Sequence, residues 1–140
     1  MNDLPAHVRQ SHAFHMLCDG GRVGVAAELR YCRDDPYAVT ATFRIGTDDG
    51  VQWLFARDLL IEGLIGGAGD GDIRIAPDET DADLVIVELR GPDRCAVLAV
   101  ATASLAEFLA ATYAVVDVGE EHRAVDIDGE LTALLANDWF

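Results

Sequence analysis

Hydrophobic and polar residues alternate most regularly in the middle of the chain. Tyr37, Val39, Ala41, Phe43 and Ile45 are separated by small or polar residues, the period-two pattern of a strand with one buried face. Val51, Trp53 and Phe55 repeat it after the loop Gly46 to Gly50, so the two runs predict a β-hairpin with Trp53 and Phe55 mostly buried. Alternation then stops. Leu59 and Leu60 are adjacent, Asp58 suits a first helical turn, and Gly63 suits the position just past a helix end, which predicts a short helix.

Upstream, His12, Phe14, Met16 and Cys18 mark a strand from Gln10 to Cys18, followed by the turn Asp19-Gly20-Gly21. Val23, Val25, Ala27, Leu29 and Tyr31 alternate as a second strand. Downstream, Gly66 to Gly71 is expected as a flexible connection and Pro77 to Asp83 as an acidic loop. Strands are predicted around Ile73 and Ile75, from Leu84 to Arg90 and from Cys95 to Ala101. That makes about seven strands joined by short turns, which requires antiparallel pairing. The period changes in the last third. Ser104 and Glu107 form a capping box ahead of Leu105, Phe108, Leu109 and Thr112, the spacing of a helix. Val115 to Val118 reads as extended. Asp126 or Asp128 could cap a second helix whose apolar face is Ile127, Leu131, Leu134 and Leu135. Trp139 and Phe140 then either dock on the domain or meet a neighbouring subunit. The fold class is α+β, in a single domain over residues 1–140 with residues 1–9 flexible.

Composition narrows the function. The chain has 140 residues, 51% of them hydrophobic, enough for one domain with a core. Its ten basic residues are all Arg, and the formal net charge is −15. That balance repels nucleic acid and anionic membranes unless the arginines cluster, and in sequence they are dispersed. Cys18, Cys32 and Cys95 are odd in number and widely spaced, so they are expected as buried or half-buried thiols in a reducing cytoplasm. No apolar run approaches the ~20 residues of a membrane helix. The expectation is a soluble, cytoplasmic protein.

No catalytic, cofactor or metal site emerges. The glycine run Gly66 to Gly71 follows a predicted helix, precedes a strand and lacks the Lys of a phosphate loop. Asp70-Gly71-Asp72 begins like a calcium loop, but Arg74, Ile75 and Asp81 occupy positions that need an oxygen ligand, a Gly and a Glu. His12 and His15 would point to opposite faces of a strand, which rules against a shared metal. Ser104 is better explained as a cap than as a nucleophile, and His122 has no such group beside it. Tyr31, Tyr37, Trp53 and Phe55 could stack on single-stranded bases, but all sit at the apolar positions of their strands.

Several stretches resemble the SsgA-like proteins, small regulators of sporulation and cell division in mycelial actinobacteria. The resemblance rests on Leu29-Arg30-Tyr31, Asp35-Pro36-Tyr37-Ala38-Val39, Phe55-Ala56-Arg57-Asp58-Leu59-Leu60 and Gly69-Asp70-Gly71-Asp72-Ile73-Arg74. Phe108-Leu109 with Thr112, Gly119-Glu120-Glu121, and Asp126 with Glu130-Leu131 and Leu134-Leu135 add to it, so the resemblance spans Glu28 to about Leu135. It implies a non-enzymatic regulator without cofactors, found at the division septum. Such a protein would act as an adaptor in septum-site selection, recruiting the tubulin-like division GTPase FtsZ directly or through a sibling protein. It also implies a Whirly-like fold, with two antiparallel sheets, a mid-chain helix and two C-terminal helices, assembling as a homo-oligomer, most naturally a trimer. Candidate partner or subunit contacts are Tyr37, Arg57, Asp58 and Glu62 within the matching blocks, and Trp139 and Phe140 at the end. The alternative is a single-stranded nucleic-acid binder of the same fold, using Tyr37 and Trp53.

Overall fold

The computed structural model describes residues 6–46 and 49–121. His122, the second C-terminal helix, Trp139 and Phe140 lie outside that range. The elements in chain order are β1 (His7–Cys18), β2 (Gly21–Cys32), β3 (Asp35–Arg44), β4 (Val51–Ala56), α1 (Arg57–Ile65), β5 (Ala68–Asp70), β6 (Ile73–Pro77), β7 (Leu84–Arg90), β8 (Cys95–Ala101) and α2 (Thr102–Val115).

All pairings are antiparallel, and the eight strands make one curled sheet in the order β4-β3-β2-β1-β8-β7-β6-β5. Two separate sheets were expected. What merges them is a short ladder between β1 and β8, running from Phe14↔Val100 to Met16↔Leu98. The additional strand is β5: Ala68–Asp70, expected as a flexible connection, pairs with β6 from Ala68↔Ile75 to Asp70↔Ile73. The first strand also starts early. His7, Val8 and Arg9, expected to be flexible, pair with Cys32, Tyr31 and Arg30.

The inner faces of both halves of the sheet enclose the core. Phe14 and Phe43 meet edge to face at 5.4 Å, Phe43 and Phe55 at 6.5 Å, and Ile75, Val87 and Leu98 pack with them. Both helices pack on this side, burying Leu59 and Leu60 from α1 and Leu105, Phe108 and Leu109 from α2. Period-two parity holds where strands are flanked on both sides: Ala27, Leu29 and Tyr31 are all buried. It fails at the β1–β2 tip, because β3 reaches β2 only from Ala26 and β8 reaches β1 only as far as Met16. Cys18 and Val23, both on the apolar parity, are consequently exposed.

The thiols are likewise not buried. Cys18 sits at that tip, Cys32 faces outward, and Cys95 opens β8, so all three are exposed. Tyr37 departs from parity for a different reason. The β2–β3 register jumps from Tyr31↔Val39 to Cys32↔Asp35, leaving Pro36, Tyr37 and Ala38 out of step. Pro36 turns inward, its carbonyl accepting a 2.8 Å hydrogen bond from the Tyr31 hydroxyl, and Tyr37 is left 48% exposed.

Two expected helix signals play other roles. Gly63 does not end α1, which runs to Ile65 with Gly66 as its cap. Gly63 is needed because Ile75 of β6 lies against it: a Cβ there would come within 2.7 Å of the Ile75 Cβ. Nor does Ser104 cap α2. That helix starts at Thr102 behind Ala101, with no side-chain cap. Its first turn is held by the acidic loop instead: the Thr102 N–H donates to the Asp83 carbonyl at 2.8 Å and Thr102 Oγ1 to the Ala82 carbonyl at 3.2 Å.

Candidate functional site

Most of the singled-out positions gather near the start of α1. Arg57 is its first residue, Asp58 and Glu62 lie one helical turn apart, and Tyr37 precedes Ala38, the partner of Ala56 across the hairpin. Tyr37, Asp58 and Glu62 are exposed and can meet a partner. Arg57 cannot. It is 0% exposed, and its side chain runs inward beneath the end of α2.

There the guanidinium is almost fully occupied. Nη1 donates to the Val116 carbonyl at 2.7 Å, and to the Thr112 carbonyl and Oγ1 at 3.3 and 3.4 Å. Nη2 donates to the Asp117 carbonyl at 3.2 Å and to Glu121 Oε2 at 2.7 Å. The cation also lies 4.8 Å from the Tyr31 ring centroid and 5.5 Å from that of Tyr113. Among the described residues, Arg57 Nε is the one buried side-chain polar atom without a partner. A buried charge is tolerated only when paired and hydrogen-bonded, and the planar fork of Arg is the side chain best shaped to reach this many acceptors. Arg57 is therefore a latch. Together with Arg33, whose Nε and Nη2 donate to the Val115 carbonyl at 3.4 and 3.1 Å, it fixes the C-terminal end of α2 to the β2–β3 turn and the start of α1.

The latch sets its neighbours' acidities. Burial alone would raise the Glu121 carboxyl, but the Arg57 hydrogen bond, backbone hydrogen bonds and the Arg57 charge together outweigh it and hold the group below the usual carboxylate range. Burial pushes the Tyr31 phenol up to about 12, with Arg57 opposing part of that rise. Sequence reading missed Glu121 and the role of Arg57. The available signal was a lone cation inside the apolar run Trp53 to Leu60, at a position that helical spacing would bury. Thr112, expected on the apolar face of α2, is buried there, its hydroxyl donating to the Leu109 carbonyl at 2.7 Å and accepting from Arg57.

Away from the helices, the curled sheet leaves an open apolar groove of about 550 Å³. Its walls include Met16, Val25, Phe43, Val51, Trp53 and Leu98, with Asp49 and Arg94 as its charged residues. Phe55 is buried as expected. Trp53 is only half-buried because its side chain forms part of this groove. Tyr37 does not share a platform with it, since Trp53 pairs with Ala41 while Tyr37 lies at the far end of β3 on the displaced segment. His12 is half-buried on the inner face, its Nε2 2.8 Å from Gln10 Oε1, while His15 is exposed on the outer one. Among the described residues no helix is long and apolar enough to cross a membrane.

The model of a family described as the Streptomyces sporulation and cell division protein SsgA matches residues 25–121. The sporulation-specific cell division protein SsgB of Saccharopolyspora erythraea is 48% identical over 116 residues, covering 83% of this chain and 82% of that protein. SsgB of Streptomyces coelicolor is 45% identical over 113 residues, covering 80% and 82%. A crystal structure of an SsgA-like sporulation-specific cell division protein from Thermobifida fusca superposes with a TM-score of 0.84 at 36% identity, covering 94% of this chain and 98% of that one.

Proposed function

Because the chain belongs to the SsgA family of sporulation and cell division proteins, SsgB-like in its relatives, we propose that it is a non-enzymatic adaptor in septum-site selection. The relatives' common role supports action in sporulation cell division. The finer reading is that the chain helps bring the tubulin-like GTPase FtsZ to the future septum, directly or through a sibling protein. The observation that carries it is the extent of the match. It runs from within β2 to Glu121, so both members of the buried latch and the exposed Tyr37, Asp58 and Glu62 lie inside the family's region.

The exposed positions suit contact with a protein. Val51 and Leu54 are each 61% exposed and Tyr37 48%, while a net charge of −15 repels a phosphate backbone. We also propose self-association as a small ring, a trimer, which closes symmetrically and gives Trp139 and Phe140 a neighbour to meet. Co-purification from a sporulating host, with the chain and FtsZ each used as bait, tests the adaptor reading. Reciprocal recovery, directly or with a sibling protein, is expected. Absence of either from the other's complexes contradicts it.

A further inference from the structure

The two edges of the sheet are built differently. β5, at one end, is three residues long, includes Gly69 and Asp70, and has α1 packed beside it. β4, at the other, is six residues long, and among the described residues only β3 pairs with it. Proteins normally blunt a free edge with charge, proline, a bulge or short length. β4 uses none of the first three: it reads Val51-Gln52-Trp53-Leu54-Phe55-Ala56, without charge, Pro or Gly, in a chain that is 25% charged. An uncharged, β-prone hexad with open backbone groups is the pattern that recruits a further strand.

Its side chains are placed to receive one. Val51 and Leu54 are each 61% exposed and lie on opposite faces of the strand, and Val51 and Trp53 wall the apolar groove. The ends of the strand specify charge. Asp49 precedes it and Asp58 follows it, both exposed. The cation between Asp58 and the strand, Arg57, is buried and neutralised by Glu121, so it offsets neither. Arg44, whose Nε donates to the Asp49 backbone carbonyl, and Arg94, which lines the groove with Asp49, balance part of the Asp49 end. The Asp58 end therefore carries the stronger charge preference.

We infer that the β4 edge receives an extended segment of a partner protein, uncharged and apolar at alternate positions where it pairs, with basic residues on either flank. Backbone pairing supplies affinity, and alternate side chains meeting Leu54 on one face and the Val51–Trp53 wall on the other supply selectivity. The inference rests on the adaptor reading for the existence of a partner, but its geometry is independent of it.

The test uses the full chain and three synthetic peptides, followed by amide hydrogen exchange. The first peptide has a six-residue alternating Val-Thr core with two arginines on each side. The second replaces the arginines with glutamates. The third keeps the arginines but is N-methylated at alternate core amides. The first should slow exchange of the outward-facing β4 amides, and the other two should bind at least about tenfold more weakly. Leu54→Lys, an exposed change checked for an unaltered melting temperature, should weaken the first peptide to a similar degree. Equal binding of the N-methylated peptide, no slowing by any peptide, or outward β4 amides already protected in the free chain overturns the inference. No binding by a chain that still reaches septa removes the β4 proposal and leaves the adaptor reading. Binding by a chain absent from septa supports the β4 proposal and removes the adaptor reading.

Discussion

Arg57 is where charge, burial and chain connectivity meet. Removing one partner of a buried ion pair leaves the other uncompensated and typically costs ~3–5 kcal/mol. Arg57→Ala should therefore destabilise the fold by about that amount in denaturant unfolding. Arg57→Lys should recover little, because an ammonium has no planar fork to reach Val116, Asp117 and Glu121 together. The pair also gives stability a pH dependence. The folded Glu121 carboxyl lies below its ordinary value of 4.5, so its stabilisation is present above that value and is lost as pH falls through the folded one. Glu121→Gln should flatten the acid limb of a stability–pH curve, and an unchanged limb would remove Glu121 as its source. Tyr31 acts at the other extreme. Its phenol is raised from 10.0 to about 12, so its contribution is complete below 10.0 and lost as pH climbs through about 12. Spacing placed Arg57 where a helix would bury it but not its partners, because Thr112, Val116, Asp117 and Glu121 lie far along the chain and only the fold brings them to it.

At the scale of elements, the alternating strands were readable because one face of each meets the core along most of its length. Departures came where a strand outran or slipped past its neighbours. The β1–β2 tip extends beyond β3 and β8, and the Tyr31–Cys32 register break turned an apolar-parity tyrosine outward. Hydrogen bonding across such a break depends on the partner strand, which no single run of residues encodes. The same logic explains β5, whose Ala-Gly-Asp sequence carries no strand signal and pairs only because β6 lies beside it. Within β4 the structure separates two neighbouring aromatics. Phe55→Ala should cost ~3–5 kcal/mol, as expected for a buried aromatic, and Trp53→Ala clearly less, because its side chain faces an open groove. Equal losses in parallel denaturation curves would mean that the groove is closed in solution.

For the whole molecule, the antiparallel, α+β character and the mid-chain helix were legible in the sequence, whereas the joining of two expected sheets into one was not. The family was legible because its blocks are spread from Leu29 to Leu135, and the family match covers those as far as Glu121. The exposed parts of the candidate site were legible for the same reason, whereas the latch required the fold. Self-association is tested by sedimentation at micromolar concentration in moderate salt, which screens the net charge of −15. A trimer is expected, weakened by deletion of Trp139 and Phe140, and a clean monomer contradicts the ring. The central proposal, that the chain directs where sporulation septa form, is tested most directly by imaging fluorescent FtsZ in sporulating hyphae with and without the gene for this chain. Loss of the regular FtsZ ladder in the deletion strain, restored by the intact chain, is the predicted result. Normally spaced FtsZ rings in its absence would contradict it.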